Sequence, residues 1–168
     1  DRGHRRIAFI SGSLDSPTAG ERHAGYNEAL TAAGLPVVDT LIIPGKWSPA
    51  SGAAAVDTLL AAGLPFSAIL ASNDEMAIGA IKKLHDAGIA VPADVSVIGF
   101  DNIPTAPFLI PALSSVKDPV SDMVSEVISQ IISMLDGGYL SEQNKFVSEL
   151  ILRDSVVDGP YVNPQETC

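Results

Sequence analysis

Cysteine is almost missing from this sequence: Cys168, the last residue, is the only one. An intrachain disulfide and a cysteine-rich metal site are therefore excluded, and this usage suits a cytoplasmic protein. Positive charge is scarce as well, with 10 Lys and Arg against 20 Asp and Glu and a formal net charge of -10. Such a balance repels phosphate backbones, so no nucleic-acid surface is expected of these residues themselves. The one basic cluster, Arg2, Arg5 and Arg6 beside His4, reads as a solvated lead-in to a strand. Although 46% of the residues are hydrophobic, no apolar run approaches the roughly eighteen residues of a membrane-spanning helix, and no membrane partner is expected. A secretory signal is lacking too. The chain enters an apolar strand within a few residues of Asp1, an abrupt start expected of a fragment.

Motifs for catalysis are equally thin. Gly12-Ser13 is not followed by the Gly-Lys-Ser/Thr of a phosphate loop, and no Gly-x-Gly-x-x-Gly follows the first strand. His4, His23 and His85 stand in unrelated contexts, without a His-Glu-x-x-His pattern or a nucleophile elbow. Asp74 and Glu75 are adjacent, and neighbours on a helix diverge by about 100° rather than facing each other. No acid, base and nucleophile are assembled, so neither catalytic residues nor a metal or cofactor is expected.

What the sequence does have is a rhythm. Ile7-Ala8-Phe9-Ile10 is a short apolar run closed by Ser11-Gly12-Ser13, and a helical pattern follows from about Ala19 to Ala33, with Gly34 as its stop. Val37 to Ile43 reads as a second strand, broken by Pro44-Gly45. Ser48-Pro49 opens an Ala-rich helix to Gly63 with a good N-cap beside a first-turn proline. Ala68 to Ala71 reads as a third strand, and a helix from Asn73 to Gly88 precedes the fourth, within Val91 to Asn102. Strands separated in this way by helices require right-handed crossovers and a parallel sheet sandwiched by helices, a doubly wound α/β core. The rest departs from it. Pro104, Pro107 and Pro111 forbid a long helix between Ile103 and Leu113. Val120, Val124, Val127, Ile128, Ile131 and Leu135 recur at helical spacing, a strongly amphipathic helix ending at Gly137-Gly138. A last strand is expected from Phe146 to Leu152, before a polar tail.

In open parallel sheets ligands collect beyond the carboxyl ends of the strands. Those ends carry Ser11-Gly12-Ser13, Lys46-Trp47, Ser72-Asn73-Asp74 and Asp101-Asn102. Trp47, the only tryptophan, has two open roles: packing, or stacking on a sugar or heteroaromatic ring. Asp101 follows an apolar strand, where its carboxylate either accepts hydroxyls from a polyol or caps a neighbouring loop. Asn73 precedes Asp74-Glu75 and is either a helix N-cap or a hydroxyl contact. Arg22, early in the first helix, is either solvated or a bidentate ligand contact.

These stretches have a familiar look. Val91-Pro92-Ala93-Asp94-Val95-Ser96-Val97-Ile98-Gly99-Phe100-Asp101-Asn102 resembles a signature of LacI/GalR-type transcriptional regulators, as does Ala71-Ser72-Asn73-Asp74-Glu75-Met76-Ala77-Ile78-Gly79-Ala80. Arg22-His23-Ala24-Gly25-Tyr26, Trp47-Ser48-Pro49-Ala50-Ser51-Gly52 and Pro111-Ala112-Leu113-Ser114-Ser115-Val116 fall in the same order. The resemblance implies an effector-binding domain of the periplasmic-binding-protein-like type I fold, two lobes closing on a small sugar-like effector or a nucleobase. Residues 1–116 would form the C-terminal lobe, 117–145 a crossover and a helix packed on an absent first lobe, and 146–168 the last strand and tail. The resemblance places effector contacts on Arg22, Trp47, Asn73, Asp101 and Asp118, and homodimer contacts on Met76, Ile81 and Leu84, with simple core packing as the competing account of these three. Operator DNA would be reached only through a headpiece preceding Asp1, and the protein would be a cytoplasmic repressor without a cofactor. Leu14-Asp15-Ser16-Pro17-Thr18 lacks the arginine that some members carry there, and Asp118 stands where several have glutamine. The same fold also serves sugar-transport binding proteins, the competing reading, with an enzyme third.

Overall fold

The computed structural model describes residues 2–13, 15–137 and 146–160. The tail with Cys168, and 138–145 of the crossover segment, lie outside the described residues. The elements are β1 (Ile7–Ser11), α1 (Pro17–Ala32), β2 (Ile42–Pro44), α2 (Pro49–Ala62), β3 (Ala68–Ala71), α3 (Asp74–Asp86), β4 (Ser96–Phe100), β5 (Ser114–Lys117), α4 (Val120–Leu135) and β6 (Glu149–Ile151). One six-stranded sheet has the order β2-β1-β3-β4-β5-β6. Its first five strands are parallel and β6 alone runs antiparallel, pairing Val116 with Leu150. The expected doubly wound core is present, with an antiparallel edge strand added.

β1 shows why the sheet must be covered on both faces. Its side chains alternate, Ala8 and Ile10 to one side and Phe9 to the other, and all three are fully buried. Ile10 joins Leu59, Met76, Leu84 and Val97 in the core beneath α2 and α3, whereas Phe9 stacks on Tyr26 of α1 at 4.9 Å between ring centroids. Between α1 and β6 this second face is less filled, and Ile7, Leu70, Ile98 and Leu152 line an apolar trench of about 560 Å³.

Glycine sets the contact between α2 and α3. A Cβ on Gly52 would collide with the Met76 carbonyl, and one on Gly79 with the Pro49 carbonyl, so the two backbones touch. Both helices begin at the same sheet edge. Ser48 caps α2 by accepting from the Ser51 amide at 3.3 Å, with Pro49 opening the first turn.

Several expectations need correction. The strand expected from Val37 to Ile43 shrinks to Ile42–Pro44, because Asp39–Leu41 forms a 3-10 turn and β2 pairs only with β1. The last strand is Glu149–Ile151 rather than Phe146 to Leu152. Met76 and Leu84, expected at a dimer interface, have no exposed surface and belong to the lobe's own core. A side chain with nothing exposed has nothing to offer a second subunit. The proline-rich segment does lack a long helix, holding only a 3-10 turn at Ala106–Phe108.

α4 occupies the expected residues, yet none of its side chains is buried. Val124, Val127, Ile128 and Ile131 each expose about half their surface, 51 to 56%. No helix among the described residues is long and apolar enough to cross a membrane.

Candidate functional site

The carboxyl ends of β1, β2, β3 and β4 lie at one edge of the sheet, as parallel pairing in register requires. There the chain folds back on itself in strained turns. Trp47, Asp101 and Asn102 all adopt positive φ, 60°, 98° and 50°, although none is glycine. Non-glycine residues hold such conformations where the surroundings over-determine them, and they cluster at binding sites.

Arg22 is the centre of the site. Its side chain is 15% exposed, and its guanidinium lies over the Phe100 ring with Cζ 3.6 Å from the centroid. The Trp47 ring centroid lies 5.9 Å from the same Cζ. Nη1 donates to the Ser72 carbonyl. Nη2 donates to Asp101 Oδ1 at 3.2 Å and Asp118 Oδ2 at 3.4 Å, leaving part of its five-donor fork unused. Ser148 Oγ in turn donates to Asp118 Oδ1 at 2.8 Å. Asp101 keeps 43% of its side chain exposed, so its carboxylate is held by Arg22 and still reaches solvent. Burial raises the Asp101 carboxyl above its ordinary value, Arg22 pulls it back, and Asp118 adds a smaller push upward.

Asn73 fills the expected capping role and adds a second bond that the sequence did not suggest. Its Oδ1 accepts from the Met76 amide at 2.9 Å, capping α3, while Nδ2 donates to the Trp47 carbonyl at 3.2 Å. The cap therefore also tethers the Trp47 loop. The indole ring is half-buried over Gly12, where any Cβ would run into its six-membered ring. Arg22, Trp47, Asn73, Asp101 and Asp118 are thus linked to one another directly or through Arg22.

Two partners went unnoticed in the sequence. Phe100 is the last residue of β4, and nothing in its local sequence signals a guanidinium stacked on it. Asp74 was set aside as half of an adjacent carboxylate pair, yet it is wholly buried and accepts from Ser115 Oγ at 2.6 Å and the Ile103 amide at 2.8 Å. Burial pushes its carboxyl up, opposed first by these hydrogen bonds.

Chemically, this surface offers a flat aromatic face, an amide, a guanidinium with spare donors and two carboxylates. It is equipped to bind hydroxyl groups. No group of three or more His, Cys, Asp or Glu that could hold a metal ion occurs among the described residues.

A sheet lobe of this topology with its polar groups gathered at the carboxyl edge defines a class of ligand-binding proteins. Residues 1–156 match the model of the periplasmic binding protein-like domain. The chain belongs to this family, and it is similar to the corresponding part of LacI-type transcriptional regulators. The HTH-type transcriptional regulator AscG of Escherichia coli (strain K12) is 56% identical over 155 residues, 92% of this chain and 46% of that protein. A crystal structure of a sugar-binding LacI-family transcriptional regulator from Escherichia coli, complexed with phosphate, superposes with a TM-score of 0.91. It shares 55% identity and covers 94% of this chain and 56% of its own. The transcriptional regulator CelR in complex with cellobiose superposes at 0.80 with 34% identity, over 91% of this chain and 47% of its own. The chain spans about half the length of the curated relatives it matches. These relatives are regulators rather than enzymes or transport proteins.

Proposed function

We propose that this lobe is one wall of the effector cleft of a LacI-type repressor, and that the effector is a neutral, sugar-like polyol. The observation that carries the reading is the Arg22 guanidinium, stacked on Phe100, near Trp47 and bonded to Asp101. Asp101 accepts sugar hydroxyls, Arg22 and Asn73 donate to them, and Trp47 covers a C–H face of the ring. Asp118 adds a further acceptor. Two carboxylates against one guanidinium leave the wall negative, which disfavours phosphorylated or carboxylated effectors.

The second wall lies on a lobe outside these residues, and α4 packs against that lobe. Support comes from α4, whose apolar stripe is half exposed along its length, and from relatives about twice as long as this chain. Closure of the two lobes on an effector shifts the balance between two states that differ in affinity for it. A homodimer conveys this to DNA-binding headpieces in the cytoplasm. Its surface on this lobe is built from Ile81 with Ile78, Phe108 and Ile110, in place of Met76 and Leu84. Ile81, Ile78 and Ile110 line one shallow groove, and Ile110 and Phe108 expose 95% and 84% of their surfaces.

A thermal-shift panel on the full-length protein tests this reading, with neutral mono- and disaccharides including cellobiose and glucose 6-phosphate as the anionic control. Stabilisation by a neutral sugar and none by glucose 6-phosphate is expected. Stabilisation by the phosphorylated sugar alone contradicts it.

A further inference from the structure

The most unusual piece of backbone at the site is the Asp101–Asn102 turn, with two successive non-glycine residues at positive φ. Its hydrogen bonds lead to a single group. The Ile103 amide donates to Asp74 Oδ2 at 2.8 Å. The Asn102 amide donates to Ser115 Oγ at 3.0 Å, and that hydroxyl donates to Asp74 Oδ1 at 2.6 Å. Two consecutive amides after Asp101 are thereby tied to one carboxylate, one directly and one through a hydroxyl.

Four separate elements combine to allow this. Asp74 opens α3, Ser115 comes from β5, and Ile103 follows the turn itself. Gly99 of β4 supplies the room, because a Cβ there would lie 2.0 Å from Asp74 Oδ1. Arg153 holds the turn from the opposite side, with Nη2 donating to Asn102 Oδ1 at 2.7 Å and Nη1 to the Leu113 carbonyl at 2.6 Å. A neutral amide in place of Asp74 would have to donate an N–H to Ser115 Oγ, which must then turn its own proton away, so the carboxylate, which accepts at both oxygens, is the better match to this pair. Asp74 also follows Asn73, which tethers Trp47. The start of α3 therefore touches both flanks of the candidate site.

We infer that Asp74 is a positioning residue: through Ser115 and the Ile103 amide it holds the Asp101–Asn102 turn left-handed and so keeps the Asp101 carboxylate against Arg22. The importance of that carboxylate for an effector rests on the function proposed above, whereas the positioning does not.

The test needs no effector, so its failure is separate from failure of the sugar-sensor reading. Crystal structures and hydrogen–deuterium exchange are compared for the full-length protein and its Asp74→Asn and Ser115→Ala variants. Ser115→Ala removes one methylene-borne hydroxyl and guards against Asp74→Asn failing to fold. Exchange at least tenfold faster in the segment around Asn102 is expected in Ser115→Ala, with β1 and α2 unchanged. In the crystal, the turn should leave the left-handed region and Asp101 should separate from Arg22. A turn and an Asp101–Arg22 pair unchanged in Ser115→Ala would overturn the inference. So would faster exchange spread evenly over the lobe with the pair intact, the signature of a purely structural role.

Discussion

The carbonyl oxygen of Pro49 occupies the space that a side chain on Gly79 would need, so α2 and α3 meet backbone to backbone. The contact lies in the first turn of α2, whose preceding loop carries Trp47, and nearly two turns beyond Asn73 in α3. Helix packing and site geometry are therefore the same problem. Gly79→Ala must push the helices apart, and overpacking of this kind costs about 1–3 kcal/mol. Calorimetry should show a clearly lowered melting temperature and, in the same variant, altered Trp47 emission. An unchanged melting temperature would mean that the helices separate freely.

Gly12 and Trp47 make a more local pair. Gly12→Ala should displace the indole ring, since the three atoms nearest to the added methyl all belong to it. The expected outcome is a changed emission spectrum, assigned by difference from a Trp47→Phe control, with a stability change within roughly 1 kcal/mol. Binding of the cognate sugar should weaken.

Asn73 can be divided into its two functions. Asn73→Asp keeps the acceptor that caps α3 but loses the donor to the Trp47 carbonyl, whereas Asn73→Ala loses both. The alanine variant should lose about 1 kcal/mol of stability and the aspartate variant little of it. Both should loosen the Trp47 loop, seen as greater acrylamide quenching. Equal stability of all three proteins would refute the capping role.

Asp101 makes a pH prediction. Its folded carboxyl sits above the ordinary value of 3.8, chiefly through burial. Folding thus favours the protonated form, and the stability from this group is present in full below 3.8 and lost as pH rises through the folded value. Asp101→Asn does not ionise. The melting temperature of the variant relative to the native protein should therefore rise with pH across that window. A difference that moves the other way would mean that the pairing with Arg22 outweighs burial.

How legible all this was depends on range along the chain. β3 and α4 match their expected residues because a short β-branched or apolar run and a helical stripe are local patterns. The edge strands β2 and β6 were drawn too long, since apolar residues mark where a strand is able to form and pairing decides where it does. Trp47, Asn73 and Asp101 were legible as candidates because parallel strands deliver their carboxyl ends to one edge, and Arg22 because it lies early in α1. Their wiring was not. The Phe100–Arg22 stack joins positions 78 residues apart in sequence, and the Asp74–Ser115 bond joins positions 41 apart. Gly99 matters to the latter by the atom it lacks. Met76 and Leu84 were misplaced because an apolar helix face looks the same whether it meets a second subunit or its own sheet.

The central claim is that Asp101 and Arg22 grip the hydroxyls of a neutral sugar. It is tested most directly by calorimetric titration of full-length native and Asp101→Ala proteins with the neutral sugar that gives the largest thermal shift. A hydrogen bond to a charged group is worth about 1.5–3 kcal/mol, so loss of the carboxylate should weaken binding by roughly tenfold to a hundredfold or more. Equal affinity of the two proteins, with the variant folded, would contradict the account.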